Sequence, residues 1–93
     1  MPFANYSNLT FLGKLKTRKS TDIASSRFGV GFETLDRQMW DANQAWPVIN
    51  DLGVKWARVQ TGWARTEKQP GVYEFGWLDE IVDKLIERGV APW

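Results

Sequence analysis

The chain has 93 residues, with 12 lysines and arginines against 11 aspartates and glutamates and 43% hydrophobic residues. This balance is typical of one small folded domain and excludes a disordered chain and a strong polyanion binder. Cysteine and histidine are both absent, which excludes disulfides, thiolate metal sites and a Ser-His-Asp triad. The remaining chemistry belongs to carboxylates, arginine, lysine and aromatic rings, and the 6 tryptophans serve either as core or as platforms for sugars and bases.

Membranes, nucleic acids and cofactors are not predicted as partners. No apolar run reaches membrane-spanning length and no charged-then-apolar leader is present, so we expect a soluble cytoplasmic protein. Nucleic-acid binding has one candidate cluster, formed by Lys14, Lys16, Arg18 and Lys19. The cluster lacks interleaved aromatic rings and is more typical of a solvated face. No cofactor or metal is expected.

An N-terminal arm, residues 1–26, precedes a domain formed by residues 27–93. Within the arm, residues 9–16 are predicted to form a short strand or a cap across the base of a sheet. Residues 27–35 are predicted as the first buried strand, with glycines that allow close backbone packing and with Glu33 near its carboxyl end.

A helix is predicted after this strand. It ends at Gly53, and it begins at Asn43 or later because Pro47 is tolerated only in the first turn of a helix. Its apolar stripe consists of Ala45, Val48, Ile49 and Leu52.

Residues 53–65 are the stretch around which the other elements are arranged. After Gly53 the side chains alternate with the period of a β-strand, one face carrying Val54, Trp56, Arg58 and Gln60 and the other Lys55, Ala57 and Val59. We expect this strand to be buried on both faces, with charge only at its carboxyl end, as in a parallel α/β sheet. Arg58 then requires an anionic partner, either in a structural ion pair or in a site.

The remaining elements repeat the same order. A loop over residues 61–71 leads to a second helix, residues 77–88, in which Glu80 is placed to pair with Lys84 one turn later. Its apolar stripe consists of Leu78, Ile81, Val82, Leu85 and Ile86. Residues 90–93 begin a third strand directly after a helix-ending glycine, as residues 54–56 do.

This repeat predicts an α/β fold: the opening strand-helix-strand-helix-strand portion of a TIM (β/α)8 barrel, in which each unit takes roughly 31 residues. The chain is therefore expected to be cut short. Two helices and fewer than three strands do not bury both faces of a parallel sheet, so we expect the isolated piece to be marginally stable or prone to aggregate.

One combination of residues resembles a known group of enzymes. Trp56-x-Arg58, Trp63 and Glu67, followed by Pro70-Gly71-Val72-Tyr73-x-Phe75-x-x-Leu78-Asp79, is similar to the retaining (β/α)8 glycoside hydrolases. That group includes β-galactosidases, β-xylosidases and cellulases, and the chain looks most like the β-xylosidase type. The resemblance covers residues 27–93.

The resemblance implies a soluble, metal-free glycoside hydrolase that acts on an oligosaccharide or glycoside through a covalent glycosyl-enzyme. It implies that Arg58 matches the second-strand arginine that holds the catalytic nucleophile. In such enzymes the acid/base glutamate follows the fourth strand and the nucleophile ends the seventh, so we expect no catalytic glutamate on this chain and no turnover by it alone. No oligomeric state is predicted.

Five further residues are candidates for contact with substrate. Glu33 and Glu67 are the acids placed near the strand ends, and they are expected to contact sugar hydroxyls or to form structural salt bridges rather than to act as the catalytic pair. Trp63 is expected either to stack on a sugar ring or to pack beneath the loop. Gln60 and Trp93 are predicted to line the site. The alternative function is a small carbohydrate-binding or interaction module without catalysis.

Overall fold

Three short parallel strands lie at the centre of the computed structural model, which describes residues 8–93. They are β1 (Gly29–Gly31), β2 (Trp56–Arg58) and β3 (Ala91–Pro92), hydrogen-bonded in that order. Trp56 lies opposite Gly29 on one side and Ala91 on the other, and both pairings are parallel. The predicted parallel α/β arrangement is confirmed, whereas residues 1–7 of the predicted N-terminal arm lie outside the described residues.

Two helices connect the strands, as the apolar periodicity predicted. The helix α1 (Trp46–Leu52) has Pro47 in its first turn and ends at Gly53, whose φ of 77° suits a residue without a side chain. The helix α3 (Gly76–Glu87) follows the second loop. Its predicted ion pair forms, with 2.8 Å between Lys84 Nζ and Glu80 Oε1. Between these two helices lies a short one, α2 (Trp63–Thr66), within the segment predicted as loop.

The core lies between the sheet and the helices α1 and α3. It consists of Phe32, Leu35, Trp46, Ile49, Val54, Ala57, Ile81, Leu85 and Val90. The predicted stripe of α1 is wrong at two positions, because Val48 is 62% exposed and Leu52 is 48% exposed. Within the described part of the chain, α1 turns Trp46 and Ile49 toward the sheet and no element covers its other apolar side chains.

Along each strand, every second side chain points away from this core, to the opposite face of the sheet. We call it the bare face, formed by Gly29, Gly31, Trp56, Arg58 and Trp93. Ala57, on the helix-covered face, is fully buried, but Trp56 is 45% exposed. The prediction that β2 is buried on both faces is therefore wrong for this chain, since helices cover one face only. The predicted division of residues between the two faces holds at Trp56, Ala57 and Arg58.

The N-terminal segment differs from its prediction. The structure forms neither a strand nor a helix over residues 9–19, and Leu12 and Leu15 are each 95% exposed. A 3-10 turn at Ser20–Asp22 takes the place of the predicted cap. The carbonyl of Ser20 accepts a hydrogen bond from Lys55 Nζ at 3.0 Å, so the turn is attached to the chain just before β2. Across residues 8–93 no helix has the length and apolarity that crossing a membrane requires.

Candidate functional site

The carboxyl ends of the three strands bring together residues that are distant in sequence. Parallel strands end at one edge of their sheet, and Glu33, Arg58 and Trp93 each lie at or within two residues of a strand end. Arg58 Nη1 lies 3.2 Å from Glu33 Oε1. The guanidinium carbon of Arg58 lies 5.9 Å from the centroid of the Trp93 ring. We call this cluster of Glu33, Arg58 and Trp93 the carboxyl-edge site.

The ion pair in this site is open to water. The side chains of Arg58 and Glu33 are 54% and 36% exposed, so their attraction is screened and stabilises the fold by about 1 kcal/mol or less. The expectation of a buried Arg58 is wrong here, because no described element lies over the bare face. The anionic partner it was expected to have is Glu33. Their groove has a volume of about 410 Å³ and also includes Arg27, Val30 and Trp56.

Gln60 lies beside the carboxyl-edge site, two residues beyond β2. Its Oε1 accepts a hydrogen bond from the backbone N–H of Thr34 at 3.0 Å. The side chain thus connects the segment after β2 to the segment after β1. Since the amide oxygen of Gln60 accepts this bond, the amide NH₂ group is the part of the side chain that can donate a hydrogen bond to another group.

Trp40 is a residue of this region that the sequence did not single out. Its Nε1–H donates to the carbonyl of Glu33 at 2.8 Å and to the hydroxyl of Thr34 at 3.1 Å. The indole also meets Phe32 edge to face, with the ring centroids 4.9 Å apart. A tryptophan in an irregular segment belongs to no periodic pattern, so its two bonds to residues six and seven positions earlier had no signal in the sequence.

The backbone at Thr34 is strained. Its φ is 64°, in the left-handed region, which a β-branched residue rarely adopts. The residue is held there by Gln60 at its N–H and by Trp40 at its hydroxyl. Strain of this kind persists only where neighbouring contacts enforce it, and it is concentrated at functional sites.

The strain at Thr34 gives a testable stability difference. Thr34→Ala and Thr34→Gly both remove the hydroxyl, but only glycine adopts the left-handed conformation without cost. We expect the glycine variant to be more stable than the alanine variant by about 1 kcal/mol, measured by urea denaturation followed by tryptophan fluorescence. Equal stabilities would show that Thr34 is not strained in solution.

A second groove lies beyond the end of β2 and contains two other candidates. It has a volume of about 240 Å³ and is lined by Thr61, Trp63, Thr66, Glu67, Tyr73 and Phe75. Trp63 is 75% exposed and meets Tyr73 edge to face at 6.4 Å. Glu67 Oε1 accepts the N–H of Gly71 at 2.8 Å, which closes the loop after α2.

Five of the six candidate residues therefore fall into two places, and Gln60 connects the segments after β1 and β2. Glu33, Arg58 and Trp93 share the carboxyl-edge site, whereas Trp63 and Glu67 share the second groove. Glu33 pairs with Arg58 and Glu67 bonds to a backbone N–H, so the two acids line different surfaces and have different partners.

Comparison with known proteins gives the family. The family model described as beta-galactosidase, glycoside hydrolase family 42, matches residues 31–91. Beta-galactosidase BgaA of Clostridium cellulovorans is 31% identical over 67 residues, which are 69% of this chain and 10% of the relative. The chain thus spans about a tenth of the length of that curated relative. No solved structure was found to match.

These matches confirm the predicted glycoside hydrolase family, and within that group they favour the β-galactosidase type over the β-xylosidase type that the sequence had suggested first. The chain belongs to the beta-galactosidase family of glycoside hydrolases.

Proposed function

We propose that residues 27–93 are the opening units of a (β/α)8 barrel in a retaining glycoside hydrolase that acts on β-galactosides. The family supports this proposal, and so does the spacing of the strands, which begin at Gly29, Trp56 and Ala91 and so approach the roughly 31 residues of a barrel unit. The helices cover one face of the sheet, as the outer helices of a barrel do. The bare face corresponds to the barrel interior.

The carboxyl-edge site carries the functional part of the proposal. Active sites of such barrels lie at the carboxyl ends of the strands, and here a carboxylate, a guanidinium and an aromatic ring meet at that edge. We assign Arg58 the role of holding the catalytic nucleophile by a charge-assisted hydrogen bond. Glu33 accepts hydrogen bonds from sugar hydroxyls, and Trp93 packs its ring against the apolar face of the sugar.

The two catalytic carboxylates are proposed to be neither Glu33 nor Glu67. Retaining hydrolysis needs two carboxyl groups about 5 to 5.5 Å apart, one as nucleophile and one as acid/base. Glu33 and Glu67 line separate grooves and are each engaged by another group. In the proposed enzyme, the reacting pair is supplied by chain outside residues 27–93, and Arg58 projects toward it from the bare face.

The second groove is proposed as a further contact for carbohydrate. Tyr73 and Phe75 are 58% and 47% exposed and, with Trp63, present three aromatic rings around a small apolar concavity. Exposed aromatic rings of this kind suit the apolar faces of sugars. Glu67 borders the groove and adds an acceptor for hydroxyl groups.

The proposal is tested with the full-length gene product that contains residues 1–93. We expect it to hydrolyse nitrophenyl β-D-galactoside faster than the corresponding xyloside, and we expect proton NMR to show the β-anomer as the first product, as retention requires. A peptide of residues 1–93 alone is expected not to hydrolyse either substrate. Hydrolysis by that peptide would contradict the assignment of the catalytic carboxylates, and galactoside binding without turnover by the full-length product would favour the carbohydrate-binding module instead.

A further inference from the structure

We propose that Trp40 and Gln60 are positioning residues, which hold the Glu33–Thr34 peptide so that the Glu33 carboxylate faces Arg58 and the sugar. This inference rests on the proposed function, because it gives the orientation of Glu33 a role in binding substrate. It concerns what Trp40 and Gln60 do through the backbone of Glu33, which is separate from any direct contact with the sugar.

Three backbone polar groups around Glu33 have specific partners. The N–H of Phe32 donates to the carbonyl of Arg58 at 2.8 Å, which continues the β1–β2 pairing by one residue. The carbonyl of Glu33 accepts from Trp40. The N–H of Thr34 donates to Gln60. The Cα of Glu33 is thus held from both sides, and its side chain starts from a defined point.

The side chain itself has much weaker support. Its contact with Arg58 is a half-exposed ion pair, and such pairs do not hold long side chains in one geometry by their own attraction. Binding sites nevertheless need their groups within about 0.5 Å of the productive position. Because the ion pair does not provide that precision, we infer that the backbone conformation at Glu33 provides it. The strained φ of Thr34 indicates that the surrounding contacts enforce this conformation.

The two functions of Trp40 are separable by substitution. Its ring packs against Phe32, and its Nε1–H makes the hydrogen bonds to Glu33 and Thr34. Trp40→Phe retains an aromatic ring and removes the donor. Trp46→Phe is the matched control, because Trp46 also packs its ring on Phe32, with the centroids 5.2 Å apart, but its Nε1–H donates to Asn43 and not to Glu33 or Thr34.

The experiment measures steady-state kinetics of the full-length gene product on nitrophenyl β-D-galactoside. We expect Trp40→Phe to lower kcat/KM by about 10- to 100-fold. Trp46→Phe should lower the thermal stability to a similar extent but keep kcat/KM within about threefold of the wild-type value. Gln60→Met, which removes the acceptor for Thr34 at similar volume, is expected to behave like Trp40→Phe. Equal kcat/KM values for Trp40→Phe and Trp46→Phe would overturn the inference.

A spectroscopic measurement keeps the inference testable where activity is absent. In protein with ¹⁵N-labelled arginine, the Arg58 guanidinium signals report its contact with Glu33, and Arg58→Lys assigns them. We expect Trp40→Phe to shift or broaden these signals and Trp46→Phe to leave them unchanged. Unchanged Arg58 signals in Trp40→Phe would refute the positioning role, whereas a wild-type protein that neither binds nor hydrolyses galactosides would refute the proposed function alone.

Discussion

Arg58→Ala is expected to lower kcat/KM of the full-length gene product for a β-galactoside by about 100- to 1,000-fold. The guanidinium lies at the carboxyl end of β2, in contact with Glu33 and close to Trp93. Its loss removes a charge-assisted donor from the proposed nucleophile and leaves Glu33 without its cation. The ion pair is half exposed, so this substitution should reduce stability by only about 1 kcal/mol or less.

Two further variants separate the charge of Arg58 from its shape. Arg58→Lys keeps the charge but loses the planar fork of donors, so we expect an intermediate loss of about tenfold. Arg37→Ala is the control, because the Arg37 side chain is exposed on a 3-10 turn and lines neither groove, and its activity should match wild type. Activity of Arg58→Ala near the wild-type value would remove Arg58 from the proposed site.

Gly62→Ala is expected to reduce the free energy of unfolding by about 3 to 5 kcal/mol. Gly62 precedes α2 with a φ of 52°, and a Cβ added there would overlap the side chain of Asp36 and lie 3.0 Å from the Asp36 Cα. The segments after β1 and β2 touch at this point, where Arg65 also donates to the carbonyl of Leu35 at 2.6 Å. The substitution therefore combines a left-handed strain with a steric clash between the new Cβ and Asp36.

Gly71→Ala provides the matched control for Gly62→Ala. Gly71 has a similar positive φ of 79°, but an added Cβ would meet no atom within 4 Å. We expect it to cost about 1 kcal/mol, the strain alone. Urea denaturation of the full-length gene product measures the free energy of unfolding of both variants. Similar losses for the two would show that the contact between Gly62 and Asp36 is not present in solution.

Local periodicity was sufficient to predict the two longer helices, the three strands of the sheet and the faces of β2. The alternation around Trp56, Ala57 and Arg58 depends only on the extended backbone, so it correctly separated Ala57 from the face of Trp56 and Arg58. The stop glycines and the pair of Glu80 with Lys84 are likewise set within one or two helical turns. These features follow from residues that are near one another in sequence.

Burial could not be predicted in the same way. A stripe such as Val48 and Leu52 identifies one face of a helix, but it does not say whether another element lies against that face, and here both residues are exposed. The same reasoning explains Arg58, whose face was predicted correctly and whose burial was not. The four-residue helix α2 is barely one turn long, which is too short to show a repeating apolar pattern.

The carboxyl-edge site was predicted in its residues but not in its connections. Glu33 and Arg58 were both placed near strand ends, yet their pairing depends on the register that sets Gly31 opposite Arg58. The bond from Thr34 to Gln60 spans 26 residues. Contacts between residues so far apart in sequence arise from the tertiary fold, so no local sequence pattern predicts them.

The most direct test of the account is a crystal structure of the full-length gene product with galactose bound. We predict that the sugar lies over the bare face at the carboxyl ends of β1, β2 and β3, with a hydroxyl group within hydrogen-bond distance of the Glu33 carboxylate and its apolar face against the Trp93 ring. The Arg58 guanidinium should then contact a carboxylate contributed by chain outside residues 27–93. Galactose bound at another surface, or a structure in which the bare face is turned to solvent, would contradict the account.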